Sequence, residues 1–147
     1  MLEDGYNGLT TLSYAKLEWG DAEVGAIAET LAQLSCPNLT KVDLSWNAFT
    51  GAGLEPLGEA IAAGSLHALK RLDLSNCMRL SSLPPKLGGL TELEVLDVSG
   101  CVGLANVPPA FTGLVSLQEF PASHCHLLRE SGFEKRLPKT TKVVRED

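Results

Sequence analysis

The hydrophobic positions of this chain repeat one pattern: Leu, two residues, an aliphatic, one residue, an aliphatic, two residues, then Asn or Cys. Leu39 to Asn47 (LTKVDLSWN), Leu69 to Cys77 (LKRLDLSNC) and Leu93 to Cys101 (LEVLDVSGC) are full copies. Leu117 to Cys125 (LQEFPASHC) is a weaker copy, and Leu9 to Leu17 (LTTLSYAKL) is blurred. The leading leucines at 9, 39, 69, 93 and 117 are 30, 30, 24 and 24 residues apart. Self-similarity at this period predicts a solenoid, in which no unit buries its leucines alone and stacking creates the core.

Within each copy the alternation predicts one short strand, at roughly 10–14, 40–44, 70–74, 94–98 and 118–122. Such strands stack in parallel about 4.8 Å apart, with the paired aliphatics inward and their neighbours outward. The long linkers carry helical spacing: Val24, Ile27, Ala28, Leu31 and Leu34 behind Asp21 as N-cap, then Leu54, Leu57, Ile61 and Ala62. Pro56 falls in the first turn of the second helix, where a missing N–H costs little, and Gly64 is its expected stop. The short linkers, LPPKLGGL from Leu83 and VPPAFTGL from Val107, superpose in register. Their paired prolines exclude a regular α-helix and predict an extended or 3-10 return.

These motifs resemble the leucine-rich repeat family over about residues 9–127. The segment VDLSWNAFTGAGLEPLGEAI resembles the ribonuclease-inhibitor type, shared with Ran GTPase-activating proteins and NOD-like receptors. The segment LDLSNCMRLSSLPPKLGGLTELEVLDVSGC resembles the shorter form of plant disease-resistance receptors and Ras-binding leucine-rich proteins. The resemblance implies an α/β solenoid, a short horseshoe with its parallel sheet on the concave face and helices, then 3-10 or extended segments, on the convex face. It divides the chain into a repeat domain of about five repeats, residues 1–128, and a basic C-terminal cap or tail, 129–147. It also implies a protein-interaction scaffold rather than an enzyme, with no cofactor. Two other roles follow from the same likeness: regulator of a small GTPase, and ligand-sensing fragment of an immune-type receptor.

Charge narrows the partners. The net charge is −6, whereas nucleic-acid binding needs clustered cations to neutralise phosphates, so no nucleic-acid partner is expected. Residues 129–147 hold six basic and four acidic side chains, a local +2 that leaves −8 on the body. A solvated tail is the simplest reading, and docking through Lys135, Arg136, Lys139, Lys142 and Arg145 is the sharper one. No signal peptide and no apolar stretch near the ~20 residues of a membrane span is found, and the four cysteines fit a reducing, intracellular compartment. Little sequence precedes Leu9, so Leu2 and Tyr6 are the candidates to cover the first repeat. Otherwise that edge is a pairing surface, as in a subunit of a larger assembly.

Candidate chemistry is sparse. Cys77, Cys101 and Cys125 sit where Asn47 sits, and are expected to point inward and satisfy backbone groups of the turn, while Cys36, just before the second strand, is expected to be another buried thiol. His124-Cys125-His126 has alternating directions that do not converge on a metal, and no phosphate loop, HExxH or nucleophile elbow is present. The outward letters carry more information. One column reads Ser13, Asp43, Asp73, Asp97, Pro121 and another reads Thr11, Lys41, Arg71, Val95, Glu119. Stacked carboxylates repel by roughly 0.8 kcal/mol per adjacent pair in water, which Lys41 and Arg71 offset for Asp43 and Asp73. Asp97 has Val95 beside it instead, so the face is expected to turn acidic towards the later repeats. Trp19 falls in register with the inward Phe49, whereas Trp46 lies at the rim. The expected partner-binding face is therefore Lys41, Asp43, Trp46, Arg71, Asp73, Asn76, Asp97 and His124.

Overall fold

A computed structural model describes residues 8–34 and 36–146. Leu2 and Tyr6, the candidates to cover the first repeat, lie outside the described residues. Six three-residue strands form one parallel sheet in chain order: β1 (Thr11–Ser13), β2 (Lys41–Asp43), β3 (Arg71–Asp73), β4 (Val95–Asp97), β5 (Glu119–Pro121) and β6 (Lys142–Val144). The register follows the repeat: Leu12, Val42, Leu72 and Leu96 stand opposite one another, as do Ser13, Asp43, Asp73 and Asp97. Val42, Leu72, Leu96 and Phe120 are buried, so every inner letter of the pattern from β2 to β5 enters the core.

The returns differ as their sequences require. Helix α1 (Asp21–Gln33) backs the first repeat and α2 (Glu55–Ala62), after a 3-10 turn at Gly51–Leu54, backs the second. The proline-led segments Pro85–Gly89 and Pro109–Gly113 are 3-10 turns. These turns approach so closely that a Cβ on Gly88 would lie 2.4 Å from the Ala110 carbonyl oxygen. Helix α2 ends at Gly64, whose φ of +84° is the left-handed stop.

Two expectations change. Asp21 is the first residue of α1 rather than its N-cap: the cap is Gly20, whose N–H donates to Glu23 Oε2 at 2.9 Å. The Asp21 carboxylate instead accepts the Thr50 N–H at 2.6 Å and the Thr50 hydroxyl at 2.8 Å, tying the first repeat to the second. These bonds hold its pKa below the ordinary carboxylate value, with a smaller contribution from the Arg79 charge.

The basic C-terminal stretch is not a solvated tail. It follows α3 (His126–Arg129) and forms a 3-10 turn at Phe133–Arg136 and β6, which pairs with β5 through Glu119–Lys142, Phe120–Val143 and Pro121–Val144. Leu128, Phe133 and Leu137 are buried, and the Phe133 ring lies 5.5 Å from that of Phe120. Arg136 donates to the Val107 carbonyl at 2.9 Å, while Arg145 pairs with Glu134 and lies over Phe133. Apolar residues between the charges drive this docking, because they bury against the last repeat.

Candidate interaction surface

The turn leaving each strand builds the site. Lys16, Trp46, Asn76, Gly100 and His124 occupy one repeat position, and all five have φ between +58° and +75°. The left-handed residue sends its N–H sideways: Lys16 to Ser45 O, Trp46 to Ser75 O, Asn76 to Ser99 O and Gly100 to Ser123 O, at 2.7–3.0 Å. The next residue then points inward. Asn47 donates to the carbonyls of Tyr14 and Leu44 at 2.8 and 2.9 Å, and its Oδ1 accepts the N–H groups of Leu17 and Trp19. Cys77, Cys101 and Cys125 donate to Leu44 O, Leu74 O and Val98 O at 3.4, 3.1 and 3.0 Å.

All four cysteines are free and buried. Burial pushes the Cys77 thiol up to about 11 and raises Cys36, Cys101 and Cys125 as well, which makes them poor nucleophiles. His124 and His126 are exposed on either side of buried Cys125, and no group of three or more His, Cys, Asp or Glu among the described residues could hold a metal ion.

The outward carboxylates are less available than their stacking implies. Asp43 Oδ1 accepts the Ser45 N–H and hydroxyl at 3.0 and 2.6 Å, and Asp73 Oδ1 accepts those of Ser75 at 2.9 and 2.6 Å. Asp97 accepts the Ser99 N–H at 2.9 Å. Each carboxylate therefore braces its own turn. Arg71 reaches both Asp73 and Asp97, at 3.9 and 3.7 Å, so Asp97 has a cation despite Val95 at its side. Glu94 pairs with Lys70 at 3.6 Å. The face does not turn uniformly acidic after β3, because the β3 arginine spans the boundary.

Of the residues expected to bind, Lys41, Asp43, Arg71, Asp73 and Asp97 lie together on the sheet face, in two adjacent rows. Trp46, Asn76 and His124 lie on the strand-exit rim. Trp46 is 49% exposed, with Lys16 Nζ 5.8 Å from its ring centre. Trp19 is half-buried against the core and stacks on Tyr14 at 4.8 Å.

The sequence reading missed the apolar character of this rim. Six large hydrophobics are exposed among the described residues, and five of them, Leu17, Trp46, Met78, Val102 and Leu127, fall within two residues of the inward Asn or Cys position. Trp46 and Met78 share an open cleft of about 540 Å³ with Glu18, Asn47, Ala48, Asn76 and Arg79. The signal was the column one place after the inward residue, which reads Ala48, Met78, Val102. At the other end, Leu9, Leu12, Tyr14, Ile27, Leu31 and Leu34 line a shallow apolar pocket against the first repeat.

A leucine-rich repeat family model matches residues 35–58, and a second leucine-rich repeat model matches residues 68–90. No curated protein matches the chain. No helix among the described residues is long and apolar enough to cross a membrane.

Proposed function

The chain belongs to the leucine-rich repeat family, and we propose that it is a noncatalytic protein-binding scaffold or adaptor, a subunit of a larger assembly in a reducing, intracellular compartment. Members of this family generally serve as protein-interaction modules. Binding runs through the concave face, with the apolar edge of the first repeat as a second contact. The observation that carries the reading is the in-register stacking of the outward residues. Lys41 and Arg71 form one row, Asp43, Asp73 and Asp97 the next, and Trp46 and Asn76 border them. A side-chain array fixed on short, bonded strands loses little conformational entropy when a partner docks, which favours affinity.

Lys41 makes no ion pair among the described residues, and Arg71 is shared between two carboxylates at long distances, so both can turn to a partner. Asp43, Asp73 and Asp97 orient that face more than they contact what lies on it. In the C-terminal segment Arg136 and Arg145 are engaged within the fold, so docking there falls to exposed Lys135, Lys139 and Lys142.

Affinity purification from the source, followed by mass spectrometry, tests the reading. The parent chain is expected to retain a protein partner, and Arg71→Glu or Trp46→Ala to release it. A partner held equally by both variants would refute this choice of surface.

A further inference from the structure

We propose that the strand-exit rim between the second and third repeats docks a partner segment carrying one large apolar side chain flanked by carboxylates. The proposal rests on reading the chain as a protein-interaction module, and it moves the anchor from the sheet face to the Trp46–Met78 cleft.

Three observations converge on the cleft. First, exposed large hydrophobics concentrate on this rim. Trp46 at 49% and Met78 at 57% exposure line the same open space, with Leu17 and Val102 on the flanking repeats. Clustered exposed apolar surface marks interaction sites, and Trp is prominent among binding anchors.

Second, the fold does not ask for tryptophan at position 46. The position is left-handed in every repeat, with φ +58° at Trp46, and the equivalent residues include Asn76 and Gly100, the types that adopt this conformation most readily. A large side chain held there, half in solvent, costs backbone energy and returns little burial. Such local cost is typical of residues kept for recognition.

Third, the charges beside the cleft are unbalanced. Arg79 lines the cleft and Lys16 lies over the Trp46 ring, neither in an ion pair within 4 Å among the described residues, while Glu18 is the one carboxylate in the lining. The sheet carboxylates Asp43 and Asp73 are not part of the cleft lining, and each accepts from the serine of its own turn. A segment with acidic flanks meets these cations while its apolar side chain covers Trp46 and Met78. Basic flanks would meet repulsion.

The test uses fluorescently labelled 12-residue peptides, each with a central Leu, Phe or Trp and with Glu, Ser or Lys flanks, titrated with the full chain. Glu-flanked peptides are expected to bind at least ~10-fold tighter than their Lys-flanked counterparts. Trp46→Gly and Arg79→Glu should each weaken binding by roughly 10-fold or more. Trp46→Gly suits the left-handed backbone, so its melting curve should match the parent's and exclude misfolding as the cause.

Equal binding of all flanks, or Trp46→Gly binding as well as the parent, overturns the proposal. If Arg71→Glu alone abolishes binding, the rim assignment fails while the concave-face reading stands. Concentration-dependent dimerisation of the parent, lost in Trp46→Gly, also overturns it, because the occupant would then be a second copy of this chain.

Discussion

The first and last repeats carry the same pattern but are covered to different extents among the described residues. At the C-terminal end β6 extends the sheet, Phe133 packs on Phe120, and Arg136 bonds the Val107 carbonyl. At the other end β1 is exposed on its outward residues and Leu12 is only half-buried, above an apolar pocket. A solenoid strand is stable when both its neighbours are present, because each interface buries what one repeat alone leaves in water. Among the described residues, the last repeat is covered by packed side chains and the first presents apolar surface.

The largest expected effect breaks the covered end. Phe133→Ala removes a fully buried ring between the cap and the last repeat and should cost about 3–5 kcal/mol of unfolding free energy. Leu12→Ala in the first repeat should cost less than half as much, since its side chain is only partly buried. Urea titration of both variants checks the contrast. Equal losses would mean that the first repeat is as well covered as the last.

Five of the six strands were legible because their inward letters recur at a constant offset, and the sheet register repeats that offset residue by residue. The sixth was not legible. It follows β5 by 23 residues, Thr140 stands where the leading leucine belongs, and Arg145 stands where the second aliphatic belongs. Val143 alone keeps the pattern, and six basic residues around it read as solvent-exposed. The Asp21–Thr50 bond was hidden for a different reason: a carboxylate before a helix is ordinarily a cap, and its partner lies 29 residues away. On the candidate surface, the sheet-face residues could be placed from the alternation. The left-handed turn could not, because Lys, Trp, Asn, Gly and His at one position share no side-chain property. They share only a backbone demand.

A second contrast lies in the inward residue that closes each turn. Asn47 bonds two N–H groups and three carbonyls across two repeats, whereas each later cysteine satisfies one carbonyl at close range. Asn47→Ala should therefore cost about 3 kcal/mol, since it strands several buried polar groups. Cys101→Ala should cost about 1 kcal/mol. Thermal or urea unfolding measures both, and the order of the two is the sharper prediction.

The thiols also make the later repeats sensitive to alkali. Burial raises the Cys77 pKa to about 11 from an ordinary value of 9.0. The unfolded thiol thus loses its proton first. Above pH 9 the unfolded state binds fewer protons, so stability falls as pH rises, and below that pH this source contributes no slope. The loss through Cys77 should be on the order of 2 kcal/mol between pH 9 and 11. Comparing the parent with Cys77→Ala across that range isolates it, because other groups titrate alike in both. A parent and variant with parallel curves would show that the thiol ionises freely in the folded state.

The smallest effect concerns the rim. Trp46→Ala and Trp46→Gly delete the same ring, the same contact with Lys16 and nearly the same exposed area. They differ in one respect, because alanine must still hold φ near +58° and glycine holds it without strain. The glycine variant should therefore be more stable than the alanine variant by about 1 kcal/mol. That inverts the usual order, in which glycine is the more costly replacement because its unfolded chain is freer. The same pair of substitutions at Thr40, half-buried with no left-handed backbone, should keep the usual order. If alanine proves the more stable at both positions, the turn does not constrain residue 46, and no backbone cost attends the tryptophan held there.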